Sequence, residues 1–270
     1  MTQIPRVFHF VLLRRVRLHL VHYLCLSSCL RVNKPEAVFL HYRREPCGPW
    51  WERIREHITP VALGRRRRRA FAAWRYRDPH MLRYRYAHDT DVLRLELLRD
   101  HGGVYADLDT LFLRPLPDAL YEHEFVIGKE SDVDGEPSLC NALLMARRGA
   151  PFAQRWLDGM DEAFDGRWSN HSTLLPARML EREPQLAHVE PERSFYPVMW
   201  RPPELSALLE RDDPRLLDGA FSVHLWAHLW WARSRRDFIG FHEGMIDRDY
   251  VRAGATTYAR AAQPFLDLAP

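Results

Sequence analysis

Short apolar runs that alternate with helix-like segments constrain this 270-residue chain more than any other feature. Residues 4–13 (IPRVFHFVLL) begin with a proline and then run apolar, which predicts a buried first strand. Residues 19–32 carry apolar side chains at helical spacing and stop at Asn33. Residues 37–41 (AVFLH) read as a second strand, and Pro49 opens another helix through Trp50, Trp51 and Ile54. Strand, helix, strand, helix in this order predicts an α/β fold, with a mainly parallel sheet covered by helices. No internal repeat and no linker interrupts the pattern, so residues 1–270 read as one domain.

Composition excludes little. Hydrophobic residues make up 46% and charged residues 28%, as in ordinary globular proteins, and the net charge of +3 does not mark a nucleic-acid binder. Gly64 is followed by five arginines, Arg65 to Arg69. Such a block repels itself and reads first as a solvated face, with an anionic surface as its alternative partner. Cys25 and Cys29 lie one helical turn apart and read as buried free thiols. The apolar stretch 7–30 is broken by Arg14, Arg15, Arg17, His19 and His22. It therefore predicts neither a secretory signal nor a membrane span, and the expected compartment is the cytoplasm.

The chemistry concentrates in residues 89–113. Residues 89–100 (DTDVLRLELLRD) predict a largely buried helix capped by Asp89 or Thr90 and ended by His101-Gly102-Gly103. Asp91 and Arg94, three apart, share one face of it. Residues 104–113 (VYADLDTLFL) then predict a strand ended by Arg114-Pro115. On a strand Tyr105, Asp107 and Asp109 share a face while Leu108 turns to the core. Two carboxylates at a buried strand end repel one another unless a cation joins them. A hard divalent ion, magnesium or manganese, takes carboxylate and phosphate oxygens together and can neutralise a departing diphosphate. The C-terminal edge of an open α/β sheet is also where ligands bind.

Downstream, residues 125–128 and 141–146 read as strands around an acidic loop at 132–136, and residues 151–164 read as a helix. Glu130 and Asp132 fall after the first of these strands and read as surface acids, although a catalytic or acceptor-binding carboxylate could lie there. Residues 191–203 look loop-like, and residues 221–231 form a late strand on which His224, Trp226, His228 and Trp230 alternate. His9 reads as structural.

Thr90-Asp91-Val92-Leu93-Arg94, followed by His101-Gly102-Gly103-Val104-Tyr105-Ala106-Asp107-Leu108-Asp109, resembles the signature of the DXD-motif sugar-binding glycosyltransferases. This is the group of the α-1,4-galactosyltransferases and initiating α-mannosyltransferases. Thr90 stands where that pattern has serine. Residues 4–9 resemble the family's first strand, 141–145 its strand after the motif, and 224–226 its C-terminal His and Trp segment. Leu229-Trp230 stands there in place of Ser-Trp.

The resemblance implies a GT-A-type, Rossmann-like fold and a hexosyltransferase using a UDP- or GDP-sugar donor. It further implies Mn2+ or Mg2+, and retention of anomeric configuration. It assigns Asp107 and Asp109 to catalysis and metal binding with His224 as a third ligand. It assigns Asp91, Arg94, Tyr105 and Gly103 to the donor. The acceptor, a glycan or a lipid-linked sugar, is open, no nucleic acid is expected, and Arg65–Arg69 leaves room for peripheral contact with the inner face of a membrane. The alternatives are a non-catalytic nucleotide-sugar-binding module and a basic surface-binding protein built on Arg65–Arg69.

Overall fold

The computed structural model describes residues 3–13, 17–64, 74–76, 78–227 and 246–267. Arg65–Arg69, His228 and Leu229-Trp230 lie outside the described residues. Among those described, a seven-stranded sheet is built from β1 (Val7–Leu12), β2 (Ala37–Tyr42), β3 (Thr59–Ala62), β4 (Gly103–Ala106), β6 (Phe125–Val133), β7 (Glu136–Ala146) and β8 (His188–Glu190), in the order β3-β2-β1-β4-β7-β6-β8. Strand β5 (Thr110–Phe112) leaves this sheet and pairs with β9 (Ser222–His224). The β3, β2, β1, β4 half is parallel, and β7 runs antiparallel to both of its neighbours. The expected mixed, mainly parallel sheet with helices is therefore what forms.

Period-two alternation divides the core between the two faces. Phe8, Phe10, Leu12, Val104, Ala106 and Met145 join the cluster under helix α1 (Leu20–Asn33). Val11, Leu13, Tyr105, Ile127 and Leu144 join the other, under helices α3 (Arg85–His101) and α5 (Pro151–Ala163), which the short helices α2 (Pro49–Ile54) and α4 (Asp118–Tyr121) respectively precede in the chain. Strands buried on both faces read as continuous apolar runs, which is why they were conspicuous in the sequence. Cys25 and Cys29 are buried free thiols on α1. Trp51 is buried and Trp50 packs on Tyr23 with ring centroids 4.9 Å apart, so helix packing accounts for this pair. No helix among the described residues is long and apolar enough to cross a membrane.

Several expected boundaries move, among them the late strand expected over 221–231, which covers only Ser222–His224 among the described residues; three of the shifts have a local reason. Helix α3 begins at Arg85, not Asp89, because a 3-10 turn (Pro79–Tyr84) capped by Asp78 leads straight into it. Asp89 instead pairs with Arg43 at 3.0 Å, and the Thr90 hydroxyl donates to the Tyr86 carbonyl. The strand expected over 104–113 breaks after Ala106: the Thr110 amide donates to the Asp107 carbonyl at 3.1 Å, closing a turn around Leu108 and Asp109. The acidic loop at 132–136 is the tip of the β6–β7 hairpin. Asp134 and Gly135 both take positive φ there, at 54° and 83°, the left-handed geometry that tight hairpins favour.

The double glycine sets the spacing of the sheet. Gly103 has φ +105°, and a Cβ there would lie 2.6 Å from the Val7 carbonyl oxygen. Gly102 has φ +71°, and its Cβ would lie 2.7 Å from the Arg148 amide. Only glycine lets α3 turn into β4 this close to β1. A Gly103→Ala variant is expected to lose at least about 2 kcal/mol, since left-handed strain and the clash add; urea unfolding of the two proteins checks this.

His9 on β1 is buried, with Nδ1 at 3.1 Å from His41 Nε2 and Nε2 at 3.1 Å from the Gly102 carbonyl. Burial lowers its pKa to about 4. The folded value lies below the unfolded value of about 6.5, so the unfolded chain binds the extra proton. The neutral ring's contribution is complete above about pH 6.5 and is lost as pH falls toward 4, by roughly 3 kcal/mol. Unfolding free energies measured across this window should fall steeply, and a His9→Gln variant should flatten the slope.

Candidate active site

The two acids meet through a turn and not through the pleat of a strand. The Asp107 amide donates to the Ala142 carbonyl at 2.8 Å, the last link between this segment and β7. Leu108 then turns into the core, and Asp109 is carried toward β9. Pairing of β5 with β9 sets Thr110 opposite His224, which brings a residue 115 positions away onto the motif. His224 Nε2 lies 3.0 Å from Asp109 Oδ1 and 3.8 Å from Asp107 Oδ2. The other Asp109 oxygen accepts from the Ala227 amide at 2.7 Å. Trp226 makes that bond possible by taking a left-handed φ of 53°, which is rare for a bulky residue. Its indole holds the turn by donating to the Val198 carbonyl at 2.9 Å and packing edge-on against His224.

Behind the motif, α3 supplies Asp91 and Arg94 on one face, as their spacing requires. Arg94 lies 3.0 Å from Asp91 Oδ1 and 3.4 Å from Asp107 Oδ1. It also donates to the Asn141 carbonyl, and its guanidinium stacks 4.6 Å from the centre of the Tyr105 ring. The Tyr105 hydroxyl donates to Asp107 Oδ1 at 2.5 Å. Asp91 accepts from the Asn141 side-chain amide at 2.9 Å, and its second oxygen faces His171 Nε2 at 3.3 Å. Asn141 arrives because β7 bulges: Ile127 pairs with Leu144, yet the next residue, Gly128, pairs with Cys140. Bulges of this kind re-aim side chains beside functional sites.

Charge is concentrated here. Asp91, Asp107 and Asp109 face one guanidinium, Arg94, and two imidazoles, His171 and His224. Burial raises the Asp107 pKa, and Arg94 and His224 offset this only in part. Burial lowers that of His224, but Asp109 and Asp107 outweigh it, so the imidazole holds its proton above the usual range. Burial also works to raise Asp91, and Arg94 with His171 reverses it, leaving that carboxyl below its ordinary value.

Asp107, Asp109 and His224 each offer a ligand atom within 4.8 Å of the others. Two carboxylates and an imidazole suit a divalent cation that completes its shell with phosphate or water. The ligand atoms of the three converge on one point at the cavity floor, with His224 Nε2 3.0 Å from Asp109 and 3.8 Å from Asp107, so the donor set fits the ion the sequence implied. His88, Asp91 and His171 also lie within 4.8 Å of one another, but both imidazoles are closed in by aromatic rings and Asp91 is already matched by Arg94. They orient Asp91.

The cluster floors a cavity of about 850 Å³. Asp91, Arg94, Tyr105, Asp107, Asp109 and His224 all line it. Gly103 does not: it sits at the far end of β4 against Val7 and shapes the sheet. The same cavity holds Glu130, Asn141, Trp168, Ser172 and Thr173. Glu130, read from the sequence as a surface acid, is 3% exposed on strand β6, with the Ser138 hydroxyl donating to it. The Asp134-Gly135 dipeptide was the signal that could have found it, since it marks a hairpin and extends the strand past Glu130. Asp132 remains near the hairpin tip. Ser172 and Thr173 come from a π-helical turn (Asn170–Leu174), a form frequent at functional sites and without a period to read in sequence.

Residues 49–127 match the family described as the glycosyltransferase sugar-binding region containing DXD motif. That segment holds Asp91, Arg94, Tyr105, Asp107 and Asp109. Over 218 residues the chain is 31% identical to glucan organizing enzyme 1 of Cryptococcus neoformans, covering 77% of this chain and 56% of that one. Over 156 residues it is 24% identical to the human alpha-1,4-N-acetylglucosaminyltransferase, covering 52% and 42%. The chain thus spans about half the length of these relatives. Among solved structures, the PaToxG glycosyltransferase superposes with a TM-score of 0.52 at 13% identity, over 98% of this chain and 87% of that one. Glycosyltransferase GlyE of Streptococcus pneumoniae reaches 0.50 at 9% identity, over 97% and 63%. Identities this low speak for the fold alone, and the motif speaks for the site. The chain carries the sugar-binding region of the DXD-motif glycosyltransferases, set in a GT-A fold.

Proposed function

We propose that this chain is a metal-dependent hexosyltransferase that moves a sugar from a UDP- or GDP-sugar donor to a glycan or lipid-linked acceptor. The observation that carries the reading is the convergence of Asp107, Asp109 and His224 on the floor of the cavity, within 4.8 Å of one another, with Arg94 directly behind Asp107. Asp107, Asp109 and His224 would hold Mn2+ or Mg2+. Such an ion, when bound, offsets the negative charge that gathers on a departing nucleoside diphosphate. Arg94 works against burial to favour the ionised form of Asp107 and adds a fixed positive charge beside it. Asp91 and Asn141 present a rigid pair of hydrogen-bonding groups suited to sugar hydroxyls, with Tyr105 beside them.

Retention is part of the proposal. The human relative is named for an α-1,4 product, and an α-linked nucleotide donor that gives an α product retains its configuration. We read the chain as one GT-A unit acting on the cytoplasmic side of a membrane, with Arg65–Arg69 as the contact to anionic lipid. Binding to anionic vesicles at low salt that disappears near physiological salt is the expected result. Indifference to such vesicles would remove the membrane contact and leave the chemistry untouched.

The decisive experiment offers a panel of UDP- and GDP-sugars with manganese or chelator and measures the nucleotide released. One donor should be hydrolysed slowly and only with metal. Asp109→Asn should lower that rate by a hundredfold or more, about 3 kcal/mol of transition-state stabilisation. Donor binding without release in any condition, acceptor extracts included, would favour the second reading, a nucleotide-sugar-binding module. Absence of donor binding would sink both.

Asp91→Asn tests the sugar contact separately. It should weaken binding of the donor by about tenfold, roughly 1.4 kcal/mol, and leave the bare nucleoside diphosphate unaffected in a calorimetric titration. Equal weakening of both ligands would place Asp91 at the diphosphate.

A further inference from the structure

Glu130 is a buried carboxyl that the metal cluster and the Asp91–Arg94 pair do not use. It is 3% exposed and lines the same cavity. Its shell consists of hydroxyl and thiol groups, from Ser138, Cys140 and Thr173, and no ion pair involving it is found among the described residues. Burying a carboxylate without a cation is costly, and replacing it with an apolar or amide residue would be cheaper for folding. Burial holds its pKa at about 7, with His224 drawing it down electrostatically.

Its place in the sheet gives the cost a purpose. Strand order runs β4, β7, β6, with neighbours roughly 4.8 Å apart, so Glu130 lies about 10 Å across the sheet from β4, which ends just before Asp107. Asn141, which with Asp91 forms the polar edge for sugar hydroxyls, stands on β7 between them. A donor whose diphosphate is held at Asp107 and Asp109 would extend its hexose across that interval toward Glu130, within the one cavity that all three line. The register irregularities that flank Gly128–Glu130 on β6 aim this side chain into the cavity.

We propose that Glu130 is a catalytic residue of the transfer, its carboxylate stabilising the positive charge that develops at the reacting carbon of the donor sugar. The inference rests on the hexosyltransferase reading above. The bond between that carbon and the diphosphate oxygen breaks with its electron pair remaining on the diphosphate. The acceptor hydroxyl oxygen then bonds to the carbon, and its proton passes to the diphosphate oxygen that has left. Glu130 forms no bond in this sequence. It supplies the negative charge that a carbon losing its leaving group lacks, from a buried position where such an interaction is weakly screened.

The test uses the full chain with the donor that the panel identifies, and needs no acceptor, because water serves as one in slow donor hydrolysis. Glu130→Gln keeps the shape and the Ser138 hydrogen bond and removes the charge. Hydrolysis should fall by about a hundredfold or more, while the manganese-dependent affinity for donor and for nucleoside diphosphate, measured by titration, stays within twofold. Unchanged affinity also certifies that the variant is folded. Glu130→Asp should recover part of the loss. Unchanged hydrolysis with a raised acceptor KM in the full reaction would overturn the proposal and make Glu130 an acceptor-binding residue. A parallel loss of donor affinity would overturn it too, by making Glu130 part of donor binding. A wild-type chain that hydrolyses no donor would overturn the transferase reading itself, and this inference with it, whereas an active wild type with an active Glu130→Gln removes the inference alone.

Discussion

Asp91, Asp107 and Asp109 gather beside the end of β4, and among the described residues one guanidinium, Arg94, and two imidazoles, His171 and His224, face them. Much of the surrounding architecture exists to hold that cluster. Carboxylates drawn out of water repel one another strongly, and the chain tolerates them because five of their six oxygens have a hydrogen-bonding partner and the sixth, Asp107 Oδ2, faces His224 at 3.8 Å. Tyr105, Asn141, His171, His224 and the Ala227 amide each satisfy one of them. Such a site is pre-organised for positive charge before any ligand arrives, and groups already oriented need not reorganise when charge moves.

The scaffold secures this arrangement with backbone that would be unfavourable elsewhere. Gly102 and Gly103 accept left-handed dihedrals so that α3 can deliver Asp91 and Arg94 beside the strand that bears Asp107. Trp226, which has no glycine's freedom, takes a left-handed φ and costs of order 1–3 kcal/mol, and the reward is an amide aimed at Asp109. The bulge in β7 forgoes ladder bonds so that Asn141 and the Ala142 carbonyl reach the acids. Strain of this kind persists only where packing over-determines it. Here the indole of Trp226 is wedged among Tyr196, Trp200 and His224.

The cavity combines two kinds of chemistry. The motif, Arg94 and His224 supply charged groups. Asn141, Trp168, Ser172 and Thr173 add hydrogen-bonding groups and an aromatic ring, and Glu130 a carboxyl apart from the motif. Asn141 joins the two sets, since it bonds to both Asp91 and Arg94.

The sequence by itself determined the strands buried on both faces, the helix–double-glycine–strand unit and the Asp-x-Asp pair. These are local signals: apolar runs, a 3.6-residue period, and glycines at a turn. It also determined that Asp91 and Arg94 act together, because a helix brings residues three apart onto one face. Only the tertiary structure decided which distant groups complete the site. His224 reaches Asp109 through a strand pairing between segments 115 positions apart, and His171 reaches Asp91 across 80. Glu130 changed from surface acid to cavity wall because the strand ran on to a tight hairpin, and burial depends on what covers a strand as well as on its own residues. Long-range contacts leave no period in the chain, so the partners of a motif are invisible until the sheet that joins them has formed.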